Sequence, residues 1–360
     1  MWVVEAVRDF LVCGAQVTLL SPAGSWVAQR SAGTDARIVA YDWDGVAAQD
    51  EAVCRIWTDA LRDCAVALCT VHPPRGDFQC ARFAARCIAE SGLPTCLVTK
   101  SGTVVPAYRR EFYLPDERVC SSIIAIAAFT RGYLIETYRI PADKVTLIYQ
   151  GVDLRRFRPA PALQEEGLRC YPLPPGASPV LACVGSFEPR KGQAVLLEAV
   201  AALPDAHLLL VGDGPDETWL RATIERMGLV ERVHFFPFTA RPEFVFARAD
   251  ITVLPSLYKE GLPNVLLESM AMGVPVVASR LGGVPEVVLE GETGYTVAPG
   301  EAGQLADAIR RLWEDRAAYA RMSEQAQQMM EEQFDRSVQF EQFLTHLKSV
   351  MKGNPPQGPL

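Results

Sequence analysis

Between Glu260 and Arg280 lie nineteen residues, and the only charge among them is Glu268. A carboxylate in so apolar a stretch needs a partner, because an unpaired buried charge protonates or destabilises the fold. Gly261-Leu262-Pro263 reads as a turn entering a helix, so Glu260 stands at the helix mouth and Glu268 about two turns inside. Free backbone N–H groups from Gly261, Leu262, Asn264 and Val265 would face outward there. Two carboxylates beside a helix start suit a molecule that carries hydroxyls and phosphates. The bland alternative is a capping glutamate followed by a core glutamate paired with an arginine.

Three further segments could contribute. Ser186-Phe-Glu-Pro-Arg190-Lys191-Gly192 follows a strand and precedes a helix, and adjacent cations at a helix start oppose the macrodipole unless an anion sits nearby. A diphosphate would be such an anion; otherwise both side chains extend into water. Gly282-Gly283 forms a second strand-to-helix turn, where a ligand can approach backbone closely, although Gly-Gly serves any tight turn. His72 ends a strand of the first half and could move a proton near neutral pH, whereas His207, His234 and His346 read as structural or exposed. Asp42-Trp43-Asp44 has the carboxylate pairing of a Mg²⁺ site, but its context favours a solvated turn. Gly212-Asp213-Gly214 lacks the third glycine of a dinucleotide fingerprint.

The elements that must position these residues alternate between short β-branched runs and longer amphipathic ones, the pattern of parallel sheets covered by helices. Strands are expected near 16–21, 36–42, 65–71, 95–99, 123–127 and 144–149, and again at 180–184, 207–211, 233–236, 251–254, 274–278 and 295–297. Helices are expected over 2–12, 51–63, 77–90 and 130–138. The Pro- and Gly-rich stretch 158–179 reads as a linker. From 304 to 351 the pattern is helical throughout, and 353–360 reads as a frayed tail. The domain expectation is therefore 1–165, a linker at 166–178, a second domain at 179–333, and a terminal helix at 334–352 returning to the first. The chain has 360 residues, ten cysteines and a net charge of −8. That charge argues against a general nucleic-acid binder, and the cysteines, with no Cys-x-x-Cys, fit reduced thiols. No apolar run approaches a membrane span, so a soluble, cytoplasmic protein is expected.

The run Glu260-Gly-Leu-Pro-Asn-Val-Leu-Leu-Glu268, with Gly273-Val-Pro-Val-Val-Ala278 and Gly282-Gly283-Val-Pro-Glu286, resembles the retaining glycosyltransferases of family 4, also called group 1. Gln150-Gly-Val-Asp153 with Phe157, and Val71-His72, extend the resemblance over essentially the whole chain. It implies the GT-B fold: two Rossmann-like doubly wound parallel-sheet domains with a cleft between them and a long C-terminal helix crossing back. The family's first strand and its Gly-Gly loop are apparently missing here. By resemblance, Glu268 binds ribose hydroxyls, Glu260 contacts the donor sugar, Lys191 neutralises the diphosphate, and His72 lies near the reacting carbon. The family's usual arginine is Ser186 in this chain, and Arg190 would substitute for it. Base contacts are expected near Phe236, Phe238 and Thr239. The resemblance implies a hexosyl-type, metal-independent enzyme that needs no cofactor. It would move a sugar from a nucleoside diphosphate sugar to a carbohydrate or lipid-linked acceptor, in cell-surface polysaccharide or glycolipid synthesis. A nucleotide-sugar-binding protein without transferase activity is the alternative; an epimerase or phosphorylase is a third. Tyr108-Arg-Arg-Glu-Phe-Tyr113 could give peripheral contact with the inner membrane face, or be a solvated loop.

Overall fold

The structure, a computed structural model, describes residues 2–71, 80–102 and 110–352. The chain divides into two compact units. The first takes the described residues up to Ile126, Thr130–Ile148 and those from Phe340 onward; the second takes Ala127–Phe129 and Tyr149–Gln339.

In the first unit the strands are β1 (Thr18–Pro22), β2 (Arg37–Tyr41), β3 (Val66–Val71), β4 (Cys96–Ser101), β5 (Ser121–Ala125) and β6 (Val145–Leu147). All pair in parallel, but among the described residues they form two sheets, β1-β2 and β3-β4-β5-β6. Helices Glu51–Leu61 and Cys80–Glu90 cover one face, with Trp57, Phe83, Ile88 and Leu97 in a shared core. Trp2, Phe10, Phe343 and Leu347 pack over the other face, on Val98 and Ile124. This uneven burial matches the sequence: β4 and β5 are buried at every residue, as near-continuous apolar runs should be.

The second unit holds one six-stranded parallel sheet: β7 (Val180–Val184), β8 (His207–Val211), β9 (Val233–Phe236), β10 (Ile251–Leu254), β11 (Val276–Ser279) and β12 (Gly294–Val297). Their spatial order is β12-β11-β10-β7-β8-β9, so the winding reverses between β7 and β10. Leu181, Leu208, Leu210, Ile251 and Val277 meet Leu196, Val200, Leu305 and Ile309 from the covering helices in one core.

Several boundaries differ from the sequence expectation. Residues 149–165 pack with the second unit, not the first, and the expected linker contains a helix, Pro161–Cys170, with proline in its first turn. Within that helix Gly167 is a close-packing position. A Cβ there would lie 2.8 Å from the Phe244 carbonyl oxygen on helix Pro242–Arg248. The terminal helical stretch is three helices, Ala302–Glu314, Arg316–Gln333 and Arg336–Lys352. Asp315 breaks the first and caps the second by accepting from the Ala318 N–H at 2.9 Å. At the second break, Val152 exchanges backbone hydrogen bonds with Phe334 and Arg336, at 2.8 and 3.0 Å. Asp42 and Asp44 lie at an exposed turn, as the sequence context favoured. The Asp42 carboxylate caps the short helix Trp43–Ala47, accepting from Asp44 and Gly45 N–H. Among the described residues no group of three or more metal-ligating side chains occurs.

Candidate active site

Open α/β sheets bind ligands beyond the carboxyl ends of their strands at the point where the winding reverses. Here that point lies between β7 and β10, whose outgoing loops carry Arg190 and Lys191 on one side and Glu260 on the other. The two loops are knit together by backbone. Leu257 N–H donates to the Arg190 carbonyl at 2.7 Å, and Gly192 turns at φ +68° where a Cβ would sit 2.0 Å from the Pro255 carbonyl oxygen. The loop after β11 joins them. Gly283 N–H donates to the Gly261 carbonyl at 2.7 Å, and Gly282, at φ +54°, would drive a Cβ to 2.0 Å from the Glu260 carbonyl oxygen. Both glycines are therefore required by conformation and by space.

This knitting brings side chains together at Glu260, which is 7% exposed. Lys191 Nζ donates to its Oε1 at 2.7 Å and Ser256 Oγ to the same oxygen at 2.6 Å. The Arg190 guanidinium stands 3.7 Å from that oxygen. Among the described residues no donor reaches Oε2, which leaves one carboxylate oxygen to accept from a hydroxyl. Arg190 pairs more closely with Glu188, at 2.7 Å, and Ser186 Oγ donates to Glu188 at 2.5 Å. Burial alone would raise the Glu188 carboxyl, but the Ser186 and Arg190 hydrogen bonds and the neighbouring cations bring it below the usual carboxylate range. Gln193 Nε2 fixes the loop from beneath by donating to the Ser186 carbonyl at 2.8 Å.

Other predicted residues take distinct places. Leu262 is buried, so only its backbone can serve a ligand. Helix Asn264–Ala271 begins without a side-chain cap; Asn264 accepts from Gln150 Nε2, and Val265 is half-buried. Glu268 lies half-buried one turn into that helix. Phe236 ends the edge strand β9, two strands from the reversal, and Phe238 and Thr239 follow it in the outgoing loop. Phe236 meets Tyr171 edge-on at 4.8 Å, Phe238 is 58% exposed, and Thr239 Oγ1 accepts from Arg241 N–H at 2.9 Å. His72 lies outside the described residues, as do Tyr108 and Arg109. Phe112 and Tyr113 are buried in the first unit's core, so these two aromatics of the suggested membrane segment do not face a lipid surface. No helix among the described residues is long and apolar enough to cross a membrane.

Sequence reasoning passed over Glu188, Ser256 and Glu286 as site residues. Glu286 accepts from Ala128 and Phe129 N–H at 2.7 and 2.8 Å. It also hydrogen-bonds Tyr149, whose hydroxyl is pushed up to about 12 by burial and by that carboxylate. The Gly-Gly-Val-Pro-Glu spacing was the available signal, since it ends on this residue.

Two parallel Rossmann-like units with a charged reversal point define the GT-B class of glycosyltransferase structures, and solved structures agree with that fold. A glycosyltransferase from Rickettsia africae superposes with a TM-score of 0.81 at 19% identity, over 97% of this chain and 94% of that one. Anabaena Alr3699/HepE in complex with UDP gives 0.80 at 22% identity, over 92% of each. Residues 172–329 match the family described as glycosyl transferases group 1; the chain carries a group 1 glycosyl transferase domain in its second unit. Among curated relatives, it is 34% identical over 203 residues to a GDP-mannose-dependent alpha-(1-6)-phosphatidylinositol monomannoside mannosyltransferase of Mycobacterium tuberculosis, covering 53% of this chain and 52% of that protein. A D-inositol 3-phosphate glycosyltransferase of Corynebacterium glutamicum is 34% identical over 205 residues, 54% of this chain and 49% of that protein. The chain thus aligns with about half the length of the curated relatives it matches.

Proposed function

We propose that this protein is a retaining glycosyltransferase that moves a hexosyl group from a nucleoside diphosphate sugar to a carbohydrate or lipid-linked acceptor. The observation that carries the reading is the convergence of Arg190, Lys191 and Glu260 at the reversal point of the second sheet. Lys191 and Arg190 neutralise the diphosphate as the bond from the anomeric carbon to phosphate oxygen breaks. Positioned cations and helix-start N–H groups supply that stabilisation without a metal ion. Glu260 orients the sugar through its open oxygen, and Glu268 holds ribose hydroxyls. His72 contacts the sugar near the anomeric carbon. The acceptor oxygen bonds to that carbon on the face the phosphate leaves, and its proton passes to a phosphate oxygen, so the protein contributes chiefly orientation and charge.

The phosphatidylinositol mannoside in one relative's name supports a glycolipid acceptor, and the printed donor and ligand of the two similar proteins, GDP-mannose and UDP, define the donors to try first. Binding without transfer, the reading suggested by Ser186, is not favoured, because Arg190 brings a guanidinium back into the same loop.

The test is release of UDP or GDP from UDP-glucose and GDP-mannose with lipid and saccharide acceptors. Glu268→Ala and Lys191→Ala are each expected to lower turnover at least about 100-fold. Full turnover in both variants would remove the assignment. Calorimetric binding of UDP, GDP or ADP with no product from any acceptor would leave a binding protein instead.

A further inference from the structure

Seven of the ten cysteines fall between residues 54 and 120, and two of them meet sulfur to sulfur. Cys54 Sγ and Cys87 Sγ are 3.2 Å apart, on helices Glu51–Leu61 and Cys80–Glu90. Cys80 contacts the Tyr41 hydroxyl at 3.8 Å, and Cys96 Sγ lies 3.8 Å from the Val350 carbonyl oxygen. A disulfide forms at about 2.05 Å, so closing this pair requires roughly 1 Å of sulfur movement, within reach of side-chain rotation.

The surroundings hold the two helices in that relation. Arg86 bridges from the second helix to the turn before the first, donating to the Gln49 carbonyl at 3.1 Å. Thr58 and Ser91 hydroxyls meet at 3.4 Å. The two thiols also differ in access, since Cys87 is buried and Cys54 is half-buried. Burial, then the neighbouring Cys54, pushes the Cys87 thiol up, which makes it the slower first nucleophile; once Cys54 holds a mixed disulfide, the 3.2 Å approach lets Cys87 attack within the protein. Cys54 is therefore the entry point and Cys87 the resolving group.

We propose that Cys54 and Cys87 are a thiol–disulfide exchange site, oxidised by a small-molecule disulfide of the glutathione class. The Cys54 thiolate attacks one sulfur of glutathione disulfide, forming a mixed disulfide and releasing one glutathione thiolate. Cys87 then attacks the Cys54 sulfur, forming the internal bond and releasing the second glutathione. Two protein protons are lost, and one glutathione disulfide becomes two glutathiones. The bond closes a 33-residue separation and ties together two helices of the first unit, which stabilises that unit. The inference does not depend on glycosyl transfer.

The experiment treats the folded full-length protein with oxidised glutathione at neutral pH and reads intact mass and peptide cross-links. The expected result is a loss of about 2 Da, one Cys54–Cys87 cross-linked peptide, a Tm raised by about 5 °C, and reversal by phosphine reductant. Cys54→Ser should abolish the cross-link. Cys87→Ser should stop at glutathione on Cys54, about 305 Da heavier by the mass of one glutathionyl group. An unmodified protein, a mixed disulfide that persists in the parent protein, or a cross-link through other cysteines would each overturn the proposal.

Discussion

Lys191 Nζ and Glu260 Oε1 lie 2.7 Å apart although sixty-nine residues separate them in the chain. Each is charged, and Glu260 is largely withdrawn from water, so each is part of the reason the other is tolerated. The pair sits where β7 and β10 turn outward in opposite senses. A ligand bearing both phosphate and hydroxyl can engage the two together.

That coupling separates stability from function. Lys191→Met alone leaves the Glu260 carboxylate with Ser256 and a more distant Arg190, and should cost about 1–3 kcal/mol of stability. Adding Glu260→Gln should recover most of that loss while restoring no turnover. Chemical denaturation and nucleotide release measured on the same samples check both halves.

The glycine requirement is equally specific. Gly192→Ala and Gly282→Ala would each press a methyl group against a carbonyl oxygen 2.0 Å away at a left-handed backbone position. Each should cost more than about 2 kcal/mol and lower nucleotide affinity. Gly291, at φ +76° with nothing within 4 Å, is the control: its alanine variant should lose only about 1 kcal/mol. Thermal melts of the three variants make the comparison.

Acid should loosen the second unit through two histidines. His207 Nδ1 and His234 Nε2 are 3.2 Å apart at the amino ends of β8 and β9, a contact in which one ring must accept. Both are shifted below the ordinary histidine value. Burial is the main cause for each; Arg232 and Arg248 add to it for His207, and His207 and Arg248 for His234. A depressed histidine favours its neutral form in the folded state. The stability it contributes is present above about pH 6.5 and is lost as pH falls through that value toward the folded pKa. His346, lowered by burial in the first unit, acts in the same direction. His207→Gln should flatten the slope of stability between pH 7 and 5, measured by urea unfolding; an unchanged slope would contradict the assignment.

Phe238 offers a test of the base region. Because it is 58% exposed, Phe238→Ala should leave Tm within about 1 °C. If its ring covers a nucleotide base, affinity for UDP or GDP should fall about 5- to 10-fold in calorimetry, the size of one aromatic contact.

Much of this architecture was legible beforehand because parallel strands buried on both faces must be written as unbroken apolar runs. Val180–Val184, His207–Val211 and Ile251–Leu254 lie where that pattern put them. The stretch 158–179 read as a linker because a chain-breaking glycine and a close-packing one look alike in sequence, and only the approach of Phe244 to Gly167 distinguishes them. Lys100 was invisible for a related reason. It lies in an ordinary-looking strand, yet sits over the Trp2 ring at 4.4 Å, with its pKa pushed down to about 7 by burial. Nothing local signals that a distant helix will cover it.

The amino-acid order by itself determined the two rounds of strand and helix, the loops at which charge collects, and the spacing of Glu260 and Glu268, because hydrophobic period and turn chemistry are local properties. Which cation meets which carboxylate was decided only by the folded chain. Sheet order, set by burial summed over the whole second unit, placed β7 beside β10, and two glycines let the outgoing loops touch. Electrostatic partnership depends on distance in space, and no local rule in the sequence encodes that distance.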